Sequence, residues 1–181
     1  MNFIKTAIDG VWIIEPKVLA DSRGYFMECF KQNELEQHVG KVNFVQDNES
    51  KSTRGVLRGL HYQLPPFAQS KLVRVISGAV LDVAVDIRKG SPTFGKYVSV
   101  ELTSENKLQL FMSQGFAHGF LVTSEEAVFS YKVDNVYSPQ CERGICFNDP
   151  AIGVDWGMEE SHLLLSEKDK RAKPLSEAEV F

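Results

Sequence analysis

The stretch VLDVAVDI, residues 80–87, decides the fold class, because its apolar and polar side chains alternate with a period of two. The odd positions carry Leu, Val, Val and Ile, and the even positions carry Val, Asp, Ala and Asp. Successive side chains of a β-strand point to opposite faces of the sheet. The pattern therefore predicts a strand with one packed face and one small, acidic face.

Similar strand patterns recur along the chain at short intervals. Segments 97–102, 108–112, 120–123 and 127–133 are of this kind, and turn residues such as Ser104-Glu105-Asn106 and Ser124-Glu125-Glu126 lie between them. Helical pattern is confined to about residues 31–39 and to a C-terminal segment in which Ser166 and Asp169 form a capping box. Closely spaced strands favour a sandwich or barrel over a helix-crossover sheet. We therefore expect one mainly β domain, residues 1–181, with two antiparallel sheets and small helices at its margins.

Composition excludes several classes of protein. The net charge of -4 is spread without a basic run, so we expect no nucleic-acid partner. No stretch approaches the roughly 20 apolar residues of a membrane span, and the N-terminus lacks the apolar run of a secretory signal. Cys29, Cys141 and Cys146 are odd in number and have no zinc-knuckle spacing, which predicts reduced thiols and a cytoplasmic protein.

Three polar side chains in apolar strand patterns could carry proton chemistry. His61 follows a Gly-spaced apolar stretch and could transfer protons near neutral pH, or it could be a hydrogen-bonded core histidine. Lys71 alternates with Val73 and Val75, so it could stabilise an oxyanion or simply protect an edge strand. Tyr131 could be an acid or an ordinary core tyrosine.

The motifs of other enzyme classes are missing. The sequence contains no GxGxxG, GxxxxGK[ST] or GxSxG motif, which argues against a dinucleotide fold, a P-loop or a nucleophile elbow. The paired histidines of metal-binding barrels are also missing, because Tyr62 and Gln63 follow His61, so we expect no metal. A phosphate-bearing ligand would rely on arginines, of which Arg23, Arg58 and Arg74 are candidates.

An ordered series of nine fragments resembles the dTDP-4-dehydrorhamnose 3,5-epimerase family. The fragments are residues 21–28, 44–50, 56–63, 71–74, 82–88, 91–95, 115–120, 131–132 and 165–169. The resemblance implies a cupin-like jelly roll that uses no metal and no organic cofactor. It also implies a homodimer whose early strands complete the partner's site. The implied reaction inverts C3 and C5 of dTDP-4-dehydro-6-deoxy-glucose on the route to dTDP-rhamnose.

The resemblance also implies roles for individual residues. His61 matches the base, Asp169 the carboxylate that orients it, Lys71 the group that holds the C4 oxygen, and Tyr131 the acid on the opposite face. The implied substrate-binding residues are Arg23, Arg58 and Lys168 near the diphosphate, Gln46, Asn48, Phe26 and Glu28 near the thymine, His118 near the sugar, and, as a weaker candidate, Glu142.

Two alternatives and one local expectation remain open at the level of sequence. Relatives of this fold include C3 mono-epimerases and ketoisomerases, and a non-catalytic nucleotide-sugar binding module would keep only the binding residues. Arg58 and His61 are three residues apart, so a regular strand would aim them at opposite faces. If both face one pocket, the strand must bulge, and Gly59 is the expected place.

Overall fold

Two antiparallel β-sheets packed face to face form the body of the protein. The computed structural model describes all 181 residues. Its elements are β1 (Asn2–Lys5), β2 (Val11–Glu15), β3 (Val18–Asp21), β4 (Gly24–Met27), α1 (Gln32–Val39), β5 (Gln46–Thr53), β6 (Leu57–Gln63), β7 (Lys71–Ser77), β8 (Ala79–Asp86), β9 (Tyr97–Thr103), β10 (Gln109–Met112), β11 (Phe116–Val122), β12 (Glu126–Val133), β13 (Glu142–Gly144) and α2 (Glu167–Lys170). Single 3-10 turns cover Glu160–His162 and Leu175–Glu177.

The strand order confirms the predicted two-sheet architecture. The six-stranded sheet has the order β1-β2-β10-β7-β12-β5, and the five-stranded sheet has the order β13-β6-β11-β8-β9. Every strand pair is antiparallel. One apolar core lies between the sheets and includes Val73, Ala84 and Phe129. Two further cores lie on the outer faces, one under the C-terminal segment and one under α1.

Strand β8, which lies between β11 and β9, has both faces buried, whereas the sequence predicted one packed face. The even positions form the predicted small, acidic face, and this face is turned inward between the sheets. Asp82 and Asp86 are completely buried and each has its own partners. Asp86 accepts hydrogen bonds from Arg88 Nε at 2.8 Å and Ser91 Oγ at 2.6 Å, while Asp82 pairs with His118.

A β-bulge in β6 confirms the expected irregularity at Gly59. In the pairing of β6 with β11, His61 lies opposite His118 and Arg58 lies opposite Phe120, so β6 carries one extra residue between them. Gly59 has φ +122, in the left-handed half of backbone space where a side chain is strained. The bulge lets both Arg58 and His61 face the same cavity.

A separate two-stranded hairpin, β3 and β4, stands outside both sheets. All but one of its strand residues are exposed, and Leu19 and Phe26 expose 53% and 64% of their surface. Isolated hairpins are marginally stable in water, so this one depends on contacts at its root or on another molecule. No helix in the structure has the length and apolar character that a membrane span requires.

Gly59→Ala will test the bulge. The new Cβ would lie 2.5 Å from Gly119 Cα and 2.6 Å from the His118 oxygen, and the positive φ adds strain. We expect a loss of about 2–5 kcal/mol of unfolding free energy and a fall in Tm of roughly 5–15 °C, measured by calorimetry. Gly144→Ala is the matched control, because Gly144 lies opposite His61 on β13 and a Cβ there meets only ordinary contacts at 3.5 Å or more. Equal effects of the two variants would contradict this account of the bulge.

Candidate active site

A cavity of about 760 Å³ opens between the two sheets. This volume is typical of a small-molecule site. Seven of the predicted site residues line it: Asn48, Arg58, His61, Lys71, His118, Tyr131 and Asp169. They come from β5, β6, β7, β11, β12 and α2, so the fold collects them from both sheets and from the C-terminal segment.

His61 and Asp169 form a hydrogen-bonded pair at the cavity wall. His61 Nε2 lies 2.5 Å from Asp169 Oδ1. The carboxylate is 4% exposed and the imidazole 28% exposed, so the pair is sheltered while the ring still reaches the cavity. Because the carboxylate accepts a hydrogen bond from Nε2, that nitrogen carries the proton and Nδ1 is left as the basic atom. This geometry suits a general base.

Asp169 also takes part in the cap at the start of α2. Its backbone N–H donates to Ser166 Oγ at 3.1 Å, and the Ser166 hydroxyl donates to Asp169 Oδ2 at 2.7 Å. Ser166 is thus the N-cap of α2, which confirms the capping prediction. Burial alone would raise the pKa of Asp169, but the hydrogen bonds from His61 and Ser166 outweigh it and hold the pKa below its usual value. The carboxylate therefore stays ionised at neutral pH.

Lys71 is a buried lysine without a salt bridge. Lys71 is 8% exposed. The core between the sheets includes Val73 and Val75, its neighbours on the inward face of β7. Burial lowers the pKa of Lys71 to about 8, although the charges of Asp82 and Glu142 act in the opposite direction. A poorly solvated cation of this kind is a strong electrostatic partner for developing negative charge.

Tyr131 faces the cavity from the six-stranded sheet, on the same side of β12 as Phe129 and Val133. It is half-buried, and its hydroxyl makes no hydrogen bond within the protein. Burial raises the pKa of Tyr131, so the phenol holds its proton at neutral pH. His61 lies on β6 of the opposite sheet. The cavity therefore has an imidazole on the wall formed by one sheet and a protonated phenol on the wall formed by the other.

His118 and Asp82 form a second, more deeply buried pair, and sequence reasoning missed Asp82. His118 Nε2 donates to both oxygens of the Asp82 carboxylate, at 3.0 and 2.9 Å. Burial lowers the pKa of His118 despite the attraction of Asp82, so the ring is neutral and Nδ1 can accept a hydrogen bond. The available signal was an aspartate at the centre of an apolar strand, which demands a buried partner.

Polar residues of β5 and β6 form the wider part of the cavity. Arg58 Nε and Nη2 donate to Ser52 Oγ at 3.1 and 3.0 Å, which aims the guanidinium across the inward face of β5. Gln46 donates to Asn48 Oδ1 at 2.8 Å, next to the cavity lining but outside it. This region offers one guanidinium and two side-chain amides, next to the carboxylates of Asp47 and Glu49.

Glu142 and Lys168 form an ion pair near the cavity, although neither lines it. Tyr137 also donates to Glu142 Oε2, at 2.7 Å. Burial alone would raise the pKa of Glu142, but its hydrogen bonds to Lys168 and Tyr137 keep the pKa below its usual value. The pair lies close enough to act on the pKa of Lys71, which Glu142 raises and Lys168 lowers.

Four predicted residues lie away from the cavity within this chain. Arg23 and Phe26 belong to the exposed hairpin, and Arg23 forms a 2.6 Å ion pair with Asp21. Glu28 follows the hairpin and contacts Lys31 at 3.6 Å. Arg74, one of the arginines considered for phosphate, points to the outer face of the six-stranded sheet and lines a different hollow.

No three His, Cys, Asp or Glu side chains are arranged to hold a metal ion. The two histidines of the cavity each hydrogen-bond a separate carboxylate through Nε2. What the arrangement offers is therefore proton transfer and electrostatic stabilisation by the side chains themselves.

Comparison with known proteins agrees with this geometry. A sequence profile of the dTDP-4-dehydrorhamnose 3,5-epimerase family matches residues 5–177. The enzyme of that name from Shigella flexneri is 58% identical over 182 residues, covering 100% of this chain and 99% of the relative. This chain belongs to the dTDP-4-dehydrorhamnose 3,5-epimerase family. It is accordingly an isomerase, and its barrel is the predicted cupin-like jelly roll.

Solved structures of epimerases superpose closely on this family member. The crystal structure of dTDP-6-deoxy-D-glucose-3,5-epimerase from Legionella pneumophila, in complex with dTDP-4-keto-L-rhamnose, gives a TM-score of 0.94 at 50% identity and covers 98% of this chain and 94% of its own. A 3'-monoepimerase from Streptomyces bikiniensis, in complex with dTDP-quinovose, gives 0.88 at 34% identity and covers 96% and 87%. The fold alone therefore does not separate double from single epimerases.

Lys71→Met will measure what the buried charge costs this epimerase. The folded pKa of about 8 lies below the ordinary 10.5, so below pH 8 both folded and unfolded chains carry the proton and the full cost is present. That difference corresponds to roughly 3 kcal/mol, so the variant should be more stable than wild type by up to that amount at pH 7.

The sign of the pH dependence follows from the same pKa values. Between pH 8 and 10.5 the unfolded chain binds more protons than the folded chain, so wild-type stability gains on the variant as pH rises. Urea unfolding at pH 7 and pH 10 measures both effects. Lys89→Met, at an exposed position, controls for the loss of one positive charge. A difference between wild type and Lys71→Met that did not change with pH would contradict the burial cost.

Proposed function

We propose that this chain converts dTDP-4-dehydro-6-deoxy-D-glucose to dTDP-4-dehydro-L-rhamnose by inverting C3 and C5, without a metal or organic cofactor. The observation that carries the proposal is the 2.5 Å His61–Asp169 pair facing Tyr131 across one cavity, with Lys71 between the same two sheets. Family membership supports the same reaction. The proposed compartment is the cytoplasm.

The first step is removal of a proton from carbon next to the C4 ketone. His61 Nδ1 accepts the proton, and Asp169 stabilises the imidazolium that forms because it remains ionised. The electron pair of the C–H bond moves into an enolate whose charge lies on the C4 oxygen. Lys71 stabilises that oxygen electrostatically, and it does so strongly because it is shielded from water.

The second step delivers a proton to the opposite face of the same carbon. Tyr131 is the proposed donor, since it faces His61 from the other sheet and retains its proton at neutral pH. Each inversion moves one proton from carbon to His61 and one from Tyr131 to carbon. The enzyme resets when His61 releases its proton and Tyr131 regains one through solvent. The same pair serves C3 and C5 in turn.

The remaining cavity residues fit a nucleotide diphosphate. We assign Arg58 to the diphosphate, because a guanidinium can bind phosphate oxygens in pairs. Gln46 and Asn48, joined by a 2.8 Å hydrogen bond, offer amides to the thymine. His118 Nδ1 is positioned to accept a hydrogen bond from a sugar hydroxyl. The Glu142–Lys168 pair completes the charged surroundings of the diphosphate.

A homodimer would explain the exposed hairpin. Within one chain, Arg23, Phe26 and Glu28 do not reach the cavity. The hairpin exposes four large apolar side chains together, Val18, Leu19, Tyr25 and Phe26, and an apolar patch of this kind is typical of a surface that a second molecule covers. We propose that the hairpin extends into the cavity of a partner subunit, where Phe26 packs against the thymine and Arg23 meets the diphosphate.

Two other functions are alternatives to this proposal. A C3 mono-epimerase or ketoisomerase is the first alternative, and a 3'-monoepimerase shares the fold with a TM-score of 0.88, below the 0.94 of the 3,5-epimerase. A non-catalytic binding module would have no use for a buried lysine or for a carboxylate-bound imidazole, both of which are costly to keep without a reaction. The acid–base set therefore argues for catalysis, and the number of inverted carbons decides between the enzymes.

Proton NMR in deuterated water tests the reaction directly. With dTDP-4-dehydro-6-deoxy-D-glucose and no added metal or cofactor, we expect the signals of both C3 and C5 to disappear and the inverted product to form. Tyr131→Phe should still exchange protons for deuterium through His61 but should lose at least about 100-fold in inversion, because the opposite-face donor is gone. Exchange at C3 alone would support a mono-epimerase or ketoisomerase. A folded protein that binds the nucleotide sugar without any exchange would support the binding module.

Asp169→Asn will separate the charge of the carboxylate from its hydrogen bond. The amide can still bond the imidazole but cannot stabilise an imidazolium, so kcat for epimerisation should fall by roughly 10²–10⁴-fold. Ser166→Ala keeps the carboxylate and removes the cap of α2, so it should cost about 1 kcal/mol of stability and less than about tenfold in kcat. Rates at saturating substrate measure both. An Asp169→Asn enzyme with near wild-type kcat would show that the charge is not needed.

A further inference from the structure

The hairpin is joined to the barrel by residues 28–31, which cross the outer face of the six-stranded sheet. A hollow of about 320 Å³ lies at this crossing and borders the catalytic cavity, with which it shares Asp47 and Tyr131. Cys29 and Phe30 form one side of it, and Arg74, Gln109 and other residues of β7, β10 and β12 form the other side.

Two polar side chains of the sheet hold Cys29. Gln109 Nε2 donates to the Cys29 carbonyl oxygen at 2.8 Å, and Arg74 Nη1 donates to Cys29 Sγ at 3.2 Å. Arg74 and Gln109 are direct partners across β7 and β10, so both bonds arise from one rung of the sheet. We call this group, Cys29 with Arg74 and Gln109, the root clamp.

The polar rung is unexpected on this face. Its neighbours Ile14, Leu72 and Phe111 form an apolar core under α1. Gln109 is only 1% exposed, and an amide at such a position is unfavourable unless it is hydrogen-bonded. Apolar residues would pack there at lower cost. The hydrogen bonds that these side chains make are the ones to Cys29, so their role lies in fixing that residue.

The hairpin has few other attachments to its own barrel. Lys107 Nζ donates to Tyr25 Oη at 3.0 Å and lies 4.3 Å from the ring centroid, but both residues are at the surface. A two-stranded hairpin is weakly ordered by itself. Its direction is therefore determined at its two roots, where Pro16 follows β2 and where Cys29 follows β4.

We propose that the root clamp is a positioning device for nucleotide binding, in which Arg74 and Gln109 direct the hairpin so that Arg23 and Phe26 enter the partner subunit's cavity. This inference rests on the proposed function, and specifically on the hairpin completing a second site. Neither Arg74 nor Gln109 touches substrate. They act through Cys29, so their loss should weaken binding of the nucleotide in the partner subunit and leave proton transfer intact.

Steady-state kinetics and dTDP binding test the clamp. Arg74→Leu and Cys29→Val each remove the bond to the thiol, and Gln109→Leu removes the bond to the carbonyl oxygen. For each variant we expect Kd for dTDP and KM to rise about tenfold with kcat within about twofold of wild type. Cys29→Ser keeps a polar acceptor for Arg74 and should restore much of the affinity. Ile14→Val lies opposite Gln109 on β2 and leaves both bonds in place, so it controls for a general loss of stability. Variants that lower Tm but leave Kd and KM unchanged would overturn the proposal.

A mixed dimer tests the action between subunits. One subunit carries His61→Ala and an intact clamp, and the other carries Arg74→Leu and intact catalytic residues; two affinity tags isolate the mixed species. The single working cavity should then receive an intact hairpin and show the wild-type KM. The raised KM of the Arg74→Leu homodimer in this mixed species would show action within one chain and overturn the proposal.

The measurements distinguish this proposal from the proposed function. If the wild type fails to exchange protons at C3 and C5 but binds dTDP, the epimerase assignment fails while the effect on Kd still decides the clamp. If the wild type is an active epimerase and the clamp variants bind dTDP normally, only the clamp fails. A wild type that binds no dTDP overturns both.

Discussion

The hydrogen bond between His61 and Asp169 is the contact on which the site depends, because it joins parts of the chain 108 residues apart. Asp169 can make this bond only when α2 is in place, and α2 begins with the Ser166 cap that shares the same carboxylate. The C-terminal segment thereby closes one wall of a cavity that the strands alone leave open. One carboxylate therefore serves both the cap of α2 and the orientation of His61.

The interior between the sheets must serve as a core and as a polar cavity at once. The inward faces of β7 and β12 achieve this by changing character along each strand, from Lys71 to Val73 and from Tyr131 to Phe129. The apolar end supplies the packing that holds the sheets together. The polar end is kept in a poorly solvated place where a charge acts strongly and is costly to hold, as the lowered pKa of Lys71 indicates.

The sequence alone predicted local features of this structure, such as single strands and a bulge. Alternation along residues 80–87 predicted β8, and the three-residue spacing of Arg58 and His61 predicted the bulge. No alternation predicted β5, QDNESKST, since its inward face is polar where it lines the cavity and function there replaces the hydrophobic pattern. Contacts between distant segments, such as Asp82 with His118 and the root clamp, carry no periodic signal. The family resemblance predicted which residues act together in the proposed mechanism. The outward direction of Arg74 is known only from the strand register of the structure.

A two-sheet barrel suits chemistry at two faces of one carbon. A sugar ring bound between the sheets presents one face to β6 and the other to β12, so an acceptor on one strand and a donor on the other are opposed by the architecture itself. No side chain has to move to change faces. The separation between the sheets, about 10 Å for packed sheets, is also close to the thickness of a sugar ring with a polar side chain on each side. In the proposed mechanism, inversion follows from where the two residues lie in the fold. The choice of carbon depends on how the nucleotide end is held, which we assign to Arg58 on one subunit and to the hairpin of the proposed partner.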